Sequence, residues 1–368
     1  MFSSNPFPGA FGLDISDLSI KLVQLDNLSN LKSGPTFNLK NLRNISLPPG
    51  LIINGEITQE DQVVHYIQKL LQGSSKKEKP IKSPWVVVNL PETHSFIKLI
   101  YINKNINEII QDDIEIEAQK YIPFTEKDGH YIDWEAIPSS EDIDKTKIVL
   151  VAAPKAITDS YINLVEKAGL SPLSIDVESL AIARSMVTAD KQYKNEARAI
   201  LDIGGTRSNI IIYDNDTVQF SATLNYSGEL LTTALSQKLA LNHEQAEQAK
   251  KQYGLKYENK NKVWPILMDQ TKTFIEQIKK SIYFYYSHFP ETNTINHITM
   301  CGGSSILNNL DAILSKELNV ECKPGRVWKN LNSNKVVKIP YEESIKYATA
   351  IGLALRAADN PFTKTDSI

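Results

Sequence analysis

The sequence predicts an α/β protein of two similar halves, and three stretches of the 368-residue chain carry this prediction. At residues 199–213, two apolar runs flank a polar turn with paired glycines, the pattern of a strand–turn–strand hairpin. Residues 12–25 have the same layout, and residues 298–303 form an apolar strand that ends in a Gly pair. Two hairpins of one design indicate a duplicated half-domain that clamps a ligand between its copies.

The turn of the second hairpin has the composition of a phosphate site. Gly204 and Gly205 lack a Cβ, so the backbone can approach a ligand closely. Exposed N–H groups, with Thr206 and Ser208, can then face an anion. Asp202, at the mouth of the turn, is suited to hold a hydrated Mg²⁺. Taken alone, the pattern fits an ordinary hairpin with a Gly-Gly turn equally well.

Asp14 takes the place in the first hairpin that Asp202 has in the second. An aspartate at the start of a turn often only accepts backbone N–H bonds, which explains either residue alone. It does not explain the matched pair. Two carboxylates beside a nucleoside triphosphate need a divalent cation, so the pair predicts a Mg²⁺ nucleotide.

Bulk composition excludes several classes. The net charge of −3 and the pI near 6.1 give no basic footprint for nucleic acid. Cys301 and Cys322 lack the spacing of a disulfide framework or a zinc site, which favours a reducing cytoplasm. No signal peptide or membrane-spanning run is evident. We therefore expect a soluble chain without direct membrane insertion, and we read the Lys-rich run at 74–79 as a solvated linker.

The elements predicted in the first half begin with the hairpin at 11–26. A helical stripe follows at residues 60–71, and residues 85–90 form a buried strand closed by Pro91. A compact region at 91–169 then has the order β-α-β-β-α, enough for a small inserted subdomain. Its predicted elements are a strand at 96–102, a helix at 107–121, strands at 131–137 and 147–153, and a helix at 157–168.

A polar break at 191–196 separates the two halves. We assign residues 9–90 and 170–190 to the first half, 191–358 to the second half with a helical nucleotide-capping part, and 359–368 to a polar tail. After the second hairpin, the predicted elements are a strand at 221–226 and helices at 230–241, 246–254, 271–286, 304–318 and 347–358.

These motifs resemble the actin-like ATPase superfamily. The resemblance rests on residues 14–21, 201–206 and 298–303, and covers nearly the whole chain. Within the superfamily, residues 88–96 and 122–134 are similar to the PilM family of type IV pilus assembly proteins, more than to the cell-division protein FtsA. The resemblance implies an actin-like fold with ATP and Mg²⁺ between the two halves.

The resemblance also implies roles for single residues. Asp14 and Asp202 hold the metal's waters, and Glu178 corresponds to a position that orients attacking water. Glu247 and Lys250 reach ribose and adenine, although at this spacing they also fit a plain surface ion pair. The implied cofactor contacts are Ser19, Lys21, Gly204, Gly205, Thr206, Ser208, Asn209, Gly228, Glu247, Lys250, Gly302 and Gly303.

In the PilM family, the inserted subdomain and its neighbour form a groove for the N-terminal cytoplasmic tail of PilN, a single-span membrane protein. The resemblance assigns this groove to Tyr121, Ile122, Pro123 and Phe124. The same residues fit a plain helix stop at Pro123. We therefore expect a cytoplasmic protein held at the inner membrane through its partner. Self-association into dimers or filaments stays open.

The first hairpin departs from the family pattern at Ser16 and Asp17. Asp17 adds a negative charge where the terminal phosphate should lie. At ~4 Å and an effective dielectric near 20, this repulsion is on the order of 4 kcal/mol. We expect weakened ATP binding and at most a slow ATPase.

Two other functions are open at this point. Sugar and acetate kinases share the Asp-Ile-Gly-Gly-Thr motif, but the chain shows no acceptor-site pattern and its six His are scattered. An FtsA-type tether should end in an amphipathic membrane helix, which residues 360–368 do not resemble. No Walker A sequence or Rossmann glycine fingerprint appears.

Overall fold

The computed structural model describes residues 5–28, 36–73, 78–122, 129–137, 145–189, 191, 193–332 and 339–359. Most of the Lys-rich run, Pro123, Phe124 and nearly all of the tail lie outside these ranges. No helix within them combines the length and the apolar character that crossing a bilayer requires.

The described residues form fifteen strands in three sheets. They are β1 (Phe11–Ser16), β2 (Ser19–Asn27), β3 (Phe37–Ser46), β4 (Ile52–Ile53), β5 (Glu56–Ile57), β6 (Trp85–Leu90), β7 (Phe96–Ile102), β8 (His130–Ile137), β9 (Thr146–Pro154), β10 (Ser171–Val177), β11 (Ala197–Ile203), β12 (Ser208–Asp214), β13 (Thr217–Leu224), β14 (Ile295–Cys301) and β15 (Glu321–Pro324).

Ten α-helices occur in the same ranges. They are α1 (Glu60–Gln72), α2 (Gln111–Ala118), α3 (Lys155–Lys167), α4 (Glu178–Met186), α5 (Gly228–Leu239), α6 (His243–Tyr253), α7 (Val263–His288), α8 (Leu310–Leu318), α9 (Tyr341–Ser344) and α10 (Ala348–Ala358).

The two large sheets repeat one topology. The first has the order β10-β6-β1-β2-β3, and the second begins β15-β14-β11-β12-β13. In each, the first hairpin strand pairs antiparallel with the second and parallel with a strand on its other side. The repeat confirms the duplicated α/β halves that the two hairpins predicted.

The inserted strands continue the second sheet. Its order ends β13-β7-β9-β8, so the sheet has eight strands. The register between β13 and β7 is the single antiparallel pair Phe220 and Lys98. The chain has the predicted order β7-α2-β8-β9-α3, but α3 packs against α1 and β10 in the core of the first half, so the insertion itself is β7, α2, β8 and β9. It is thus joined to the second half by a short junction, although its sequence interrupts the first.

Helices α4 and α10 pack against each other, and α10 also packs on β1. Ten of the eleven residues of α10 are buried. The packing is close: a Cβ on Gly12 would lie 2.4 Å from the Ala354 amide nitrogen, and one on Gly352 would lie 1.7 Å from the Ala181 carbonyl oxygen. Glycine at these two positions lets the backbone of α10 pack directly against the backbones of β1 and α4, where a larger side chain would not fit.

Several helix boundaries differ from the sequence predictions. The helix expected at 107–121 is only α2, because Ile110 is extended at its N-cap, is 59% exposed, and gives its N–H to Asp113. The helix expected from residue 304 begins at Leu310, since Asn309 has a left-handed φ of 69°. The helix predicted at 271–286 begins earlier, at Val263.

We expect Gly352→Ala to destabilise the fold by about 2 kcal/mol or more, because the added methyl overlaps the backbone of α4. In an ordinary helix this change stabilises by about 1 kcal/mol. Denaturant unfolding measures the difference. Gly169→Ala is the control: its Cβ meets nothing within 4 Å, so only its left-handed backbone costs about 1 kcal/mol. Equal losses in both variants would contradict the packing argument.

Candidate functional site

The first hairpin holds its acidic residue by pairing across the strands. Asp14 on β1 is opposite Lys21 on β2, and cross-strand partners share a face of the sheet. The Lys21 ammonium lies 2.9 Å from Asp14 Oδ2, and the Ser16 hydroxyl donates to Asp14 Oδ1 at 2.8 Å. Asp14 and Lys21 are both buried. Lys21 therefore balances the carboxylate expected to face a metal.

The second hairpin repeats the arrangement with a different partner. Asp202 on β11 is opposite Asn209 on β12, and the Cys301 thiol donates to Asp202 Oδ1 at 3.6 Å. Burial raises the pKa of Asp202, and the negative charge of Asp14 raises it further. The charge of Asp14 on the first hairpin thus acts on Asp202 of the second, and the two occupy matching positions on their hairpins.

Two glutamates add to this acidic cluster. Glu178 begins α4, and its carboxylate accepts a hydrogen bond from the Glu92 amide at 3.4 Å. Burial raises the pKa of Glu178, and the charges of Asp202, Asp14 and Glu92 act in the same direction, while Arg207 opposes them. Glu178 therefore belongs to one buried acidic region with both aspartates, and Arg207 is the cation that opposes their charge there.

Glu92 connects the two halves. Its carboxylate accepts from the Ser179 amide at 3.2 Å and from the Ser221 hydroxyl of β13. Burial raises the pKa of Glu92, and these hydrogen bonds partly offset the rise. Glu92 lies in the stretch 88–96 that resembles the family, but it was not among the predicted site residues, because no local motif marks it as a site residue.

Asp17 forms an ion pair across the cleft. Its Oδ1 lies 2.8 Å from Arg207 Nη2 and accepts from the Gly55 amide at 3.0 Å. In the sequence, Asp17 is an added negative charge in the phosphate turn with no evident partner. In the structure Arg207 compensates it, so the expected repulsion of about 4 kcal/mol does not act on a ligand in full.

The predicted glycines converge although they are far apart in sequence. The Gly204 carbonyl accepts from the Gly228 amide at 3.1 Å and from the Ser304 hydroxyl at 3.0 Å, and the Gly205 carbonyl accepts from the Glu229 amide at 2.8 Å. A Cβ on Gly228 would lie 2.6 Å from Ser304 Oγ. The N-terminus of α5 is therefore bonded to the turn of the second hairpin.

Gly302 and Gly303 follow β14 beside Asp202. Gly302 has a φ of +84°, and a Cβ there would lie 2.5 Å from Asp202 Oδ1. Gly303 faces open space, with nothing within 4 Å of a Cβ. The Gly pair thus combines a close approach to the acidic cluster with an exposed backbone, as expected of a surface that a nucleoside can lie against.

Glu247 and Lys250 join this region from α6. Lys250 is buried, and its ammonium donates to the Gly228 carbonyl at 2.8 Å and pairs with Glu247 at 2.6 Å. The Thr232 hydroxyl also donates to Glu247. Burial opposes ionisation of Glu247, but the hydrogen bonds from Lys250 and Thr232 outweigh it and lower its pKa to about 2. The pair is therefore more than a plain surface ion pair.

The remaining predicted contacts differ in accessibility. The Ser208 hydroxyl is fully buried and donates to the Tyr226 carbonyl at 2.6 Å, so it is engaged in the fold. Asn209 Nδ2 is buried without a hydrogen-bond partner in the described part of the chain. Thr206 is exposed at the turn, and Ser19 is half-buried at the start of β2.

A separate groove of about 410 Å³ lies between the insertion and the second half. Tyr121 lines it, as predicted, and Ile122 packs in the apolar cluster of the insertion. The Lys98 ammonium lies 4.2 Å from the centre of the Tyr121 ring. The other large side chains at the groove are Phe96, Phe220, Phe284 and Lys280.

No group of three or more His, Cys, Asp or Glu side chains in the described ranges forms a metal cage. Asp14 and Asp202 fit a different mode, in which two carboxylates hold a Mg²⁺ through its waters. Their oxygens are the ligand type that Mg²⁺ prefers. Burial and then the charge of Asp14 raise the pKa of Asp202, and the charges of Lys21 and Arg207 offset this rise only partly. The donor set therefore fits a hydrated Mg²⁺.

The family model described as type IV pilus assembly protein PilM matches residues 12–358 of the chain. Among solved structures, a PilM-PilN type IV pilus biogenesis complex superposes with a TM-score of 0.79, at 22% identity, over 96% of this chain and 100% of that chain. MreB5 of Spiroplasma citri bound to AMPPNP superposes with a TM-score of 0.52, at 13% identity, over 94% of this chain and 95% of that chain.

Among curated sequences, the cell division protein FtsA of Bacillus subtilis is 23% identical over 256 residues, which are 63% of this chain and 58% of FtsA. The chain thus spans 58% of that relative's length. A second FtsA, from Enterococcus faecalis, is 24% identical over 264 residues, or 67% of this chain and 58% of that relative.

Repeated sheets, opposed acidic hairpins and these neighbours define an actin-like ATPase fold. Within that class, the match over residues 12–358 shows the particular family: the chain belongs to the PilM family of type IV pilus assembly proteins. Of the three families that the sequence left open, the match is to the PilM family.

We expect Glu247→Gln to destabilise the fold by about 1–2 kcal/mol at pH 7, less than the full pKa shift implies because the carboxylate is partly exposed. The folded pKa lies below the ordinary value of 4.5, so the ionised carboxylate stabilises above pH 4.5 and this is lost as pH falls toward 2. Denaturant unfolding from pH 7 to pH 3 should show the gap to wild type closing.

The control for this prediction is Glu276→Gln, which removes an exposed ion pair with Lys279 on α7. Such pairs contribute a few tenths of a kcal/mol, so the unfolding curve should change little at any pH. A gap between wild type and Glu247→Gln that stays constant down to pH 3 would contradict the assignment of the low pKa to Glu247.

Proposed function

We propose that this chain is a cytoplasmic scaffold of a type IV pilus, or related secretion, assembly machine. In this proposal it binds MgATP between its two halves and docks the N-terminal cytoplasmic tail of a PilN-like inner-membrane protein. The observation that supports the nucleotide site most directly is the meeting of Asp14 and Asp202, from hairpins nearly two hundred residues apart, at one acidic cluster.

The nucleotide proposal assigns each group a task. Asp14 and Asp202 hold the waters of Mg²⁺, which neutralises phosphate charge when bound. Backbone N–H groups of the Gly204 turn face the phosphates. Lys250 and Glu247, held together at 2.6 Å, present polar groups toward the nucleoside. Gly303 leaves space beside them.

Turnover in this proposal is slow at most. Glu178 is the candidate for holding an attacking water, but burial and the neighbouring carboxylates raise its pKa and so disfavour the charged form that would act as a base. A protonated carboxyl donates a hydrogen bond and does not remove a proton. We therefore assign Glu178 a water-positioning role and the protein a binding function first.

We expect Asp202→Asn and Asp14→Asn each to weaken MgATP binding at least tenfold, because each removes a carboxylate that the metal's waters require. Calorimetric titration with MgATP, and with ATP in EDTA, measures this. Asp269→Asn, an exposed carboxylate on α7, is the matched control and should bind as wild type does. MgATP binding that is equal in all four proteins and insensitive to EDTA would overturn the metal assignment.

The docking proposal rests on the aromatic groove. Four aromatic rings and two lysines line it, and no acidic side chain is among its described lining residues. Aromatic side chains supply large contact area for an apolar peptide segment. Burial lowers the pKa of Lys98, so its ammonium gains from a carbonyl or carboxylate brought by the tail. The solved PilM-PilN complex gives the partner class.

Membrane attachment follows from this docking. A tail that precedes a single membrane span would hold the chain at the inner face of the membrane, and the protein would be peripheral through its partner. Self-association of the chain into dimers or filaments is a separate question, and the sedimentation coefficient measured with and without MgATP tests it.

We expect Phe284→Ala to weaken binding of a synthetic PilN-like N-terminal peptide at least tenfold, about 1.4 kcal/mol, because the ring forms one wall of the groove. Fluorescence anisotropy of a labelled peptide measures the affinity. Tyr283→Ala, at the residue that precedes Phe284 in α7, is the control, since the Tyr283 ring is 72% exposed and outside the groove lining. Equal weakening by both variants, with unchanged melting temperatures, would contradict the groove.

A further inference from the structure

Asp17 and Arg207 bond across the cleft from opposite turns. Asp17 lies between β1 and β2, and Arg207 lies between β11 and β12. Their charged atoms are 2.8 Å apart, with side-chain exposures of 5% and 15%. Ion pairs this well buried are screened less by salt and hold a fixed geometry better than surface pairs. The pair thus joins the two halves at the tips of their hairpins.

The first half holds Asp17 in place. Its Oδ1 accepts from the Gly55 amide at 3.0 Å, and the Gly55 carbonyl accepts from the Tyr161 hydroxyl at 2.9 Å. Tyr161 is fully buried on α3. The carboxylate is therefore fixed through the hairpin of β4 and β5 to the core, and its position does not depend on Arg207.

Arg207 reaches this carboxylate from a defined position. Its Nη1 donates to the Thr93 hydroxyl at 2.9 Å, and its own carbonyl accepts from the Gly204 amide at 2.9 Å. Its positive charge also offsets part of the rise in pKa that burial causes at Glu178, Asp202 and Glu92. Arg207 thus faces the whole acidic cluster, and among these carboxylates only that of Asp17 is within ion-pair distance in the described part of the chain.

The backbone of Gly205 also lies near Leu18 of the opposite turn. A Cβ built on Gly205 would lie 3.3 Å from Leu18 Cδ1. The ion pair and this contact together close the cleft at the point where the two phosphate-type turns oppose each other.

We propose that the Asp17–Arg207 pair is a latch that holds the two halves closed without a nucleotide. A phosphate between two such turns would bridge them by accepting hydrogen bonds from both. Here the chain's own carboxylate and guanidinium form that bridge. The latch makes closure of the cleft a property of the protein alone.

The latch is tested on nucleotide-free protein by the distance between spin labels at Gln62→Cys and Lys238→Cys, exposed positions on α1 and α5. The native cysteines, Cys301 and Cys322, are buried. Asp17→Asn keeps an acceptor for the Gly55 amide but removes the charge, and Arg207→Gln removes the cation. We expect a single narrow label-to-label distance in the parent, the labelled protein that keeps Asp17 and Arg207. In Asp17→Asn and in Arg207→Gln we expect a longer or broader distance distribution.

Arg198→Gln is the matched control, because Arg198 pairs with Glu196 at 2.9 Å within the second half and does not cross the cleft. It should leave the label distance unchanged. Melting temperatures establish that each variant is folded. A distance that is the same in Asp17→Asn, Arg207→Gln and the parent, with all three folded, would overturn the latch, as would an open cleft in the parent.

A second readout rests on the proposed nucleotide site. Asp17→Asn frees Arg207 to face a phosphate and should tighten MgATP, whereas Arg207→Gln leaves Asp17 unopposed and should weaken it. Equal changes in MgATP affinity in the two variants would contradict the idea that Arg207 serves either Asp17 or a phosphate. If the parent and both variants fail to bind MgATP at all, the nucleotide proposal falls, while the label distances still decide the latch.

Discussion

Negative charge concentrated between two sheets is the constraint that shapes the centre of this protein. Cross-strand pairing fixes Asp14 and Asp202 on facing hairpins, and the start of α4 adds Glu178. In a poorly hydrated site such charges repel one another strongly. Lys21 and Arg207 supply cations, and burial beside these carboxylates raises the pKa of Glu178. The site is thus prepared for a further cation.

The duplicated architecture was predictable because its signal is local. Each hairpin is a short apolar run, a polar turn and a second apolar run, the pattern of strands that are buried on both faces. The same pattern predicted the matching positions of Asp14 and Asp202 on the two hairpins. Helix ends were harder to predict from the sequence. The start of α8 depends on the left-handed backbone of Asn309, and the start of α2 depends on a hydrogen bond from the Ile110 amide to Asp113.

Arg207 shows what the sequence could not reveal. It lies in the second hairpin, at residues 199–213, yet its partner Asp17 is 190 positions earlier. Considered without Arg207, Asp17 indicates repulsion of a phosphate. Two opposed turns with opposite charges are a usable signal once the duplication is recognised. The anchoring of Asp17 by Gly55 and Tyr161 depends on tertiary packing and has no counterpart in spacing or composition.

The junction between β13 and β7 has a mechanical consequence. A register of one residue pair, Phe220 with Lys98, means that the inserted strands can pivot about the second sheet by breaking few backbone hydrogen bonds. The aromatic groove straddles this pivot, with Lys98 on one side and Phe284 on the other. A pull transmitted along a docked tail would therefore act on the weakest seam of the sheet, and the width of the groove would respond before the core does.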